Sequence, residues 1–242
     1  MNKKIIPSII IVITSVFNLD IAIAQQNTLS AKERQEGWRL LFNGKDLKGW
    51  HSYLQSKPGK AWQVEDGAIA LNKNDKSVYK DYADLTSNTE FENFDLKLEW
   101  KTDTCANSGV MFYVHESIKY KETWETGPEM QIEDLVCSPD HLSEMNRAGT
   151  LYDLVAVDTE WVSAANTWYE YEIKANKGHL QLYENGHKVI DTYMWNDHWK
   201  ELIAACKFKD MPNFGTFRKG HISFQGTENG KLWFRNIKIK TL

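Results

Sequence analysis

Three polar side chains, Glu129, Gln131 and Glu133, alternate along the chain with Met130 and Ile132. Because a β-strand sends successive side chains to opposite faces, this spacing predicts one apolar face and one face with two carboxylates and an amide. Such a polar face suits proton transfer and hydrogen bonding to a ligand when it lines a cleft. The alternative is a half-buried strand whose polar face meets water, the common arrangement in antiparallel sheets.

The elements that would position this strand are short and mostly β. Apolar periodicity predicts helices at Leu29–Glu36, with Ser30 as N-cap, and at Asn196–Ala205. It predicts strands at Phe91–Lys101, Ser108–His115, Thr150–Val155, Trp168–Ala175, His179–Tyr183, His187–Asp191, His221–Gln225 and Leu232–Lys240. The strand from Ser108 is nearly all apolar and therefore central. Many strands with frequent turn signals and no βα alternation predict an all-β, antiparallel two-sheet sandwich.

The first residues of the 242-residue chain carry an export signal. Lys3 and Lys4 precede an uncharged apolar run, and Ala22-Ile23-Ala24 is an A-x-A cleavage site, so we predict a signal peptide cut after Ala24 and a periplasmic or secreted protein. A retained membrane anchor is disfavoured because the run is short for a span. The rest of the sequence has no second long apolar run, so we expect no membrane span in the mature chain. The net charge of -4, without a basic stripe, argues against nucleic-acid binding.

The three cysteines, Cys105, Cys137 and Cys206, allow at most one disulfide within the chain and leave one thiol over. Their spacing does not match a zinc site. Most of the ten Trp are expected in the core, although exported β proteins also place indoles in sugar clefts. The domain organisation predicted is a signal peptide at 1–24, a lead-in at 25–37 and one domain at 38–242.

Six motifs in order resemble the 3-keto-disaccharide hydrolase family, whose fold is the concanavalin A-like jelly roll. They cover about residues 38–241 and are Leu41–Trp50, Asn107–Phe112, Trp124–Asp134, Ala148–Leu154, Lys207–Asp210 and Phe234–Ile239. The resemblance implies an enzyme that cleaves glycosides already oxidised to a ketone at C3. The ketone acidifies the C2 hydrogen, so a base can remove it, the C1 substituent leaves, and water adds across the double bond. A carbohydrate of this kind is the expected partner.

This chemistry requires a base near C2 and a cation or hydrogen-bond donor for the enolate oxygen. Glu129 is the first choice for general base or acid, since burial in an apolar cleft would raise its pKa. Arg147 or Lys207 would stabilise the enolate. The residues expected to bind the sugar are Gln131, Asp134, Tyr152, Gln225 and Trp124. For Asp134 the alternative is a cap on the following turn, and for Trp124 and Tyr152 it is core packing.

The chain departs from the family pattern at two places where relatives often carry a His. Asn146 precedes Arg147, and Gln225-Gly226 stands where relatives often read Gln-Asp-His-Gly. A His there would serve as proton carrier or metal ligand, so a divalent metal ion is a candidate cofactor and none is established. These differences favour one alternative function, a non-catalytic carbohydrate-binding module. An ordinary glycosidase is disfavoured, because Glu129 and Glu133 would lie about 13 to 14 Å apart along one strand.

Overall fold

The computed structural model of the chain describes residues 26–72, 79–138, 140–227 and 230–242. The signal peptide predicted for residues 1–24 lies outside this part. In the described residues, thirteen strands form two antiparallel sheets, with three short α-helices and one turn of 3-10 helix at Thr123–Glu125. This is the all-β jelly-roll sandwich that the sequence predicts. Within the same residues no helix is long and apolar enough to cross a lipid bilayer.

The strands and helices follow one another in short steps. The strands are β1 (Arg39–Leu40), β2 (Trp50–Ser52), β3 (Trp62–Glu65), β4 (Ala68–Leu71), β5 (Leu85–Phe91), β6 (Phe94–Thr102), β7 (Asn107–Val114), β8 (Glu129–Glu133), β9 (Tyr169–Asn176), β10 (His179–Glu184), β11 (His187–Tyr193), β12 (Gly220–Phe224) and β13 (Leu232–Thr241). The helices are α1 (Ala31–Gln35), α2 (Tyr79–Tyr82) and α3 (Asp197–Ala205). The eight-stranded sheet has the order β11-β10-β9-β6-β13-β4-β3, with β1 on β13, and the five-stranded sheet has the order β2-β5-β12-β7-β8.

Alternation along the sequence identifies the strands of the larger sheet well. In β6 the side chains of Phe94, Leu96, Leu98 and Trp100 are buried in the core, as their spacing predicts. The predicted start at Phe91 was wrong, because Phe91 ends β5 and a bend separates the two strands. The two-residue turn predicted between β10 and β11 is present, with positive φ at both turn residues, as a type I′ hairpin requires.

The smaller sheet places β8 at an edge and β7 beside it. β7 lies between β12 and β8, which confirms the prediction that this apolar strand is central. Met130 and Ile132 of β8 and Val110 and Phe112 of β7 are fully buried in the core between the sheets. Because side chains alternate, Glu129 and its polar neighbours point to the opposite, outer face of the sheet.

The free edge of β8 is covered by the segment 149–152. The Gly149 N–H donates to the Gln131 carbonyl at 3.0 Å, and the Tyr152 N–H donates to the Glu129 carbonyl at 3.0 Å. The strand predicted at Thr150–Val155 was wrong, because only Leu151 and Val155 form isolated bridges. The chain turns within this segment, with Asp153 in the left-handed region at φ 57°.

The two predicted helices are present. Ser30 caps α1 with a reciprocal capping box to Glu33, and Asn196 caps α3 by accepting the Trp199 N–H. Five of the ten Trp are buried, fewer than expected, and Trp124 is one of the partly exposed remainder.

A disulfide joins Cys105 to Cys137 across a sequence separation of 32 residues, and Cys206 is a buried free thiol. The chain therefore forms the single disulfide that three cysteines allow. The bridge connects the start of β7 to the loop after β8, so it fastens together the two strands that carry the polar face.

Candidate active site on the outer face of the smaller sheet

A cavity of about 320 Å³ opens on the outer face of the five-stranded sheet. Strands β7 and β8 supply its floor, and the segments before and after β8, after α3 and after β12 supply its walls. It is lined by Asn107, Trp124, Glu129, Gln131, Tyr152, Lys207, Phe208, Met211 and Gln225. Six of the eight residues predicted from the sequence are thus in one hollow, although they come from five separate segments of the chain.

Glu129 lies on the floor of the cavity and is only 5% exposed. The register pairs Met111 with Glu129 and Gly109 with Gln131, so the Glu129 side chain extends diagonally over Gly109. A Cβ at Gly109 would lie 1.7 Å from Glu129 Oε1. Only a glycine at position 109 therefore leaves room for the Glu129 carboxyl. A glycine inside an otherwise apolar strand often marks such a close approach by another group.

The electrostatic surroundings of Glu129 favour its neutral form. Burial raises the pKa of Glu129 to about 8, the negative charges of Asp84 and Asp140 act in the same direction, and the Lys207 ammonium opposes them. Within the described residues, Glu129 Oε1 has no hydrogen-bond partner. A carboxyl that lines a cavity, with a raised pKa and one oxygen without a partner, is suited to proton transfer.

Gln131 offers a second set of unused polar atoms. Both its side-chain oxygen and nitrogen are buried without a partner among the described residues. Its backbone is fully used, because its carbonyl accepts the Tyr171 hydroxyl at 2.6 Å and the Gly149 N–H. A fixed backbone with an unsatisfied amide is costly in the absence of a ligand or water, so this side chain is placed to bind polar groups in the cavity.

Lys207 brings a positive charge to the cavity, and it lies beside Tyr152. The Lys207 ammonium lies 4.0 Å from the centre of the Tyr152 ring. The Lys207 backbone N–H donates to Asp153 Oδ2 at 2.6 Å, which fixes this loop to the turn after β8. The Tyr152 hydroxyl donates to Asp140 Oδ2 at 3.0 Å, and burial together with this carboxylate raises the pKa of Tyr152.

Trp124, Phe208 and Met211 supply the apolar part of the cavity lining. Trp124 is partly exposed and packs against a small cluster of Tyr53, Met111 and Val114. Its position is compatible with both roles considered for it, since one face of the side chain packs and the residue also lines the cavity. Phe208 stacks on Phe214 with ring centres 4.1 Å apart, which fixes the wall supplied by the loop after α3.

Sequence reasoning missed Asn107, Phe208 and Met211 as cavity residues, and it missed Asp140 and Asp84 behind the wall. Asn107 Nδ2 donates to Asp140 Oδ2 at 3.3 Å, so that carboxylate joins two lining side chains. Asn107 and Phe208 lie within the family motifs Asn107–Phe112 and Lys207–Asp210, so the sequence could have identified them as candidates. Asp140 and Asp84 lie in stretches without periodicity, and only the fold brings them near Glu129.

The structure does not bring Arg147 and Asp134 to the cavity. The Arg147 side chain is paired with Glu160 and lies near Glu133. Asp134 caps the turn after β8, because its carboxylate accepts the Cys105 N–H at 2.8 Å and the Val136 N–H at 3.2 Å. This is the alternative considered for Asp134 from the sequence.

One group of close ligand-type atoms in the described residues, Cys105, Asp134 and Cys137, has the spacing of a metal site. It does not fit a metal ion, because the two sulfurs are bonded to each other and cannot ligate as thiolates.

Several known proteins are similar to this chain in sequence or in fold. A curated relative from Bacteroides thetaiotaomicron, named 3-keto-disaccharide hydrolase, is 26% identical over 93% of this chain and 86% of its own length. A crystal structure from Parabacteroides distasonis, provisionally described as a glycosyl hydrolase, is 31% identical, with a TM-score of 0.82 over 90% of this chain and all of that one. A galectin-like protein of unknown function from Bacillus subtilis shares the fold alone, with a TM-score of 0.50 over 90% of this chain and 95% of that one, at 12% identity.

The family model that matches the chain is the 3-keto-alpha-glucoside-1,2-lyase-like domain, and it matches residues 37–240. That span contains both sheets and every residue of the cavity. The chain therefore belongs to the 3-keto-alpha-glucoside-1,2-lyase-like family of carbohydrate-active proteins.

Proposed function

We propose that this protein is an exported hydrolase of glycosides that carry a ketone at C3. The observation that supports it most is the buried Glu129 carboxyl, whose free Oε1 and near-neutral pKa stand beside a lysine and an unsatisfied amide in one cavity. Family membership and the name of the curated relative agree with this activity. Export is supported by the predicted signal peptide, and a disulfide is compatible with an extracytoplasmic location.

In the reaction, the Glu129 carboxylate removes the proton from C2, and the electron pair of that C–H bond forms the enolate of the C3 ketone. The enolate then collapses: a C1–C2 double bond forms, the C1–O bond breaks, and the leaving oxygen takes a proton. Water adds at C1 and C2 regains a proton, so the sum is hydrolysis. Removing a proton from carbon benefits from a base stronger than an ordinary carboxylate, which the raised pKa of Glu129 provides.

Lys207 is the cation of the cavity in this proposal. Its ammonium would stabilise the negative charge that develops on the C3 oxygen. The pairing of Arg147 with Glu160 leaves Lys207 the better placed of the two candidates. Gln131 and Gln225 would bind sugar hydroxyls, and Trp124 would pack against the apolar face of the ring. Tyr152 gives its one hydroxyl proton to Asp140, so its oxygen would accept a hydrogen bond from a sugar hydroxyl.

The test is to incubate purified protein with both anomers of a p-nitrophenyl 3-keto-glucoside and with the unoxidised glucosides as matched controls. We expect p-nitrophenol only from the keto substrates, and deuterium at C2 of the released sugar when the reaction runs in D2O. Keto sugars exchange slowly without enzyme, so the Glu129→Gln variant supplies the baseline. No release from either keto anomer, or equal release from the unoxidised glycosides, would refute the proposal. Binding without release would favour a carbohydrate-binding module.

A further inference from the structure

Asp84 is a buried carboxyl that the proposed mechanism does not use. It immediately precedes β5 and is 5% exposed. Its Oδ1 accepts the Gly226 N–H at 2.8 Å, and its Oδ2 accepts the Thr123 hydroxyl. Asp84 therefore joins two segments that are distant in sequence, the turn before β8 and the loop after β12.

Each of these segments carries a side chain of the cavity. Trp124 follows Thr123, and Gln225 precedes Gly226. The approach of the second loop is close, because a Cβ at Gly226 would lie 1.7 Å from the Tyr82 carbonyl oxygen. The glycine lets the loop rest on the chain just before Asp84, where the carboxylate receives its N–H.

The charge of Asp84 also reaches the proposed base. The titratable groups that act on Glu129 are Asp84, Asp140 and Lys207, with the Tyr152 hydroxyl also within its field. Around Asp84 itself lie Glu122, Tyr53 and Glu129. Among the residues that the structure describes, no cation acts on the Asp84 carboxyl. A buried acid without a cationic partner is costly, so its retention here points to a use for its charge.

We propose that Asp84 is a positioning residue of this cavity: it holds the segments of Trp124 and Gln225 in place, and its negative charge controls the ionisation of Glu129. The proposal rests on the proposed role of Glu129 in proton transfer. The carboxyl makes Glu129 a stronger base, because a negative neighbour destabilises the Glu129 carboxylate. Burial raises the pKa of Asp84 to about 7, so its charge is present in the pH range in which Glu129 titrates.

The test follows the two carboxyls directly by ¹³C NMR, with labelled side-chain carboxyl carbons of Glu and Asp, and it needs no substrate. Signals are assigned by their loss in Glu129→Gln and Asp84→Asn. Asp84→Asn keeps an oxygen that accepts the Gly226 N–H and removes the charge. We expect the apparent pKa of Glu129 to fall by about one unit in this variant. Ser223→Ala is the control, because it removes a buried hydroxyl from the same sheet face without changing charge, and it should leave the titration of Glu129 unchanged.

Reciprocity supplies a second arm that does not depend on the folding of Asp84→Asn. If the two carboxyls interact, Glu129→Gln must also lower the apparent pKa of Asp84, because the same interaction free energy acts on both groups. An Asp84 titration that is identical in Glu129→Gln and the unmodified protein would overturn the proposal, as would an unchanged Glu129 in folded Asp84→Asn. Glycoside cleavage is measured in a separate assay. If the protein does not cleave the keto glycosides but the two carboxyls still shift each other's pKa, the proposed reaction fails and the role of Asp84 stands.

Discussion

Replacing Glu129 by Gln should remove turnover and, above neutral pH, make the protein more stable. The carboxyl is buried in the folded chain and hydrated in the unfolded chain, so it holds its proton more tightly when folded. A group with a raised pKa in the folded state stabilises the fold below its ordinary value. That stability is lost progressively as the pH rises from about 4.5 to the folded value of about 8. Glutamine is neutral at every pH and avoids this loss.

The magnitude follows from the two pKa values. Burial raises the pKa of Glu129 from 4.5 to about 8, and one unit corresponds to about 1.4 kcal/mol. Above pH 9 the full difference would be about 5 kcal/mol, and at pH 7 it would be about 3 kcal/mol. These values are upper limits, because the buried amide of Gln must also find hydrogen-bond partners. We expect Glu129→Gln to be about 1 to 3 kcal/mol more stable at pH 8 and about equally stable at pH 4.

The assay is urea unfolding of both proteins at pH 4, 6 and 8, followed by fluorescence. The difference in the free energy of unfolding should grow with pH, while release of p-nitrophenol should fall by about 10²-fold or more. If the difference in the free energy of unfolding stays constant from pH 4 to pH 8, ionisation of Glu129 does not destabilise the folded protein. If the stability of Glu129→Gln relative to the unmodified protein decreases from pH 4 to pH 8, the sign is opposite to the expected one and the reasoning is refuted.

Gly109→Ala should reduce turnover about tenfold or more with a stability loss below about 2 kcal/mol, because the new Cβ displaces a flexible Glu129 carboxyl. Its effect on unfolding should shrink in a Glu129→Ala background, and equal losses in both backgrounds would contradict the steric account. Lys207→Met should move the rise in rate to higher pH, because the ammonium lowers the pKa of Glu129; a shift to lower pH would contradict this. Cys105→Ser should cost about 3 to 4 kcal/mol in unfolding measurements, and insensitivity to reductant in the unmodified protein would argue against the bridge.

The fold could be predicted from the sequence because the strands alternate so clearly. β6 and β9 have one apolar and one charged face, and the turn at Asn185-Gly186 has its own local chemistry. Thr150–Val155 misled because its apolar residues resemble a strand, whereas its hydrogen bonds to β8 are broken by a left-handed turn at Asp153. Such a turn is decided by contacts with another strand, which periodicity does not record.

Only those residues of the site that lie in a family motif or on an alternating strand could be predicted from the sequence. Glu129 and Gln131 follow from alternation, and Lys207 and Tyr152 from the family motifs. Asp84 acts through hydrogen bonds to residues about 40 and 140 positions away, so no local pattern reveals it. For Arg147, charge alone indicated a role at the site, but its position is determined by an ion pair with another loop.

The division of the cavity between a rigid floor and a loop wall has an evolutionary consequence. Glu129 and Gln131 are fixed by a paired strand, whereas Lys207, Phe208 and Met211 come from one connecting segment after α3. Connecting segments tolerate exchange and insertion far better than sheet strands. A homologue with a rebuilt segment would therefore present a different wall to a ligand, while the carboxyl and the amide on the floor stay where the sheet holds them.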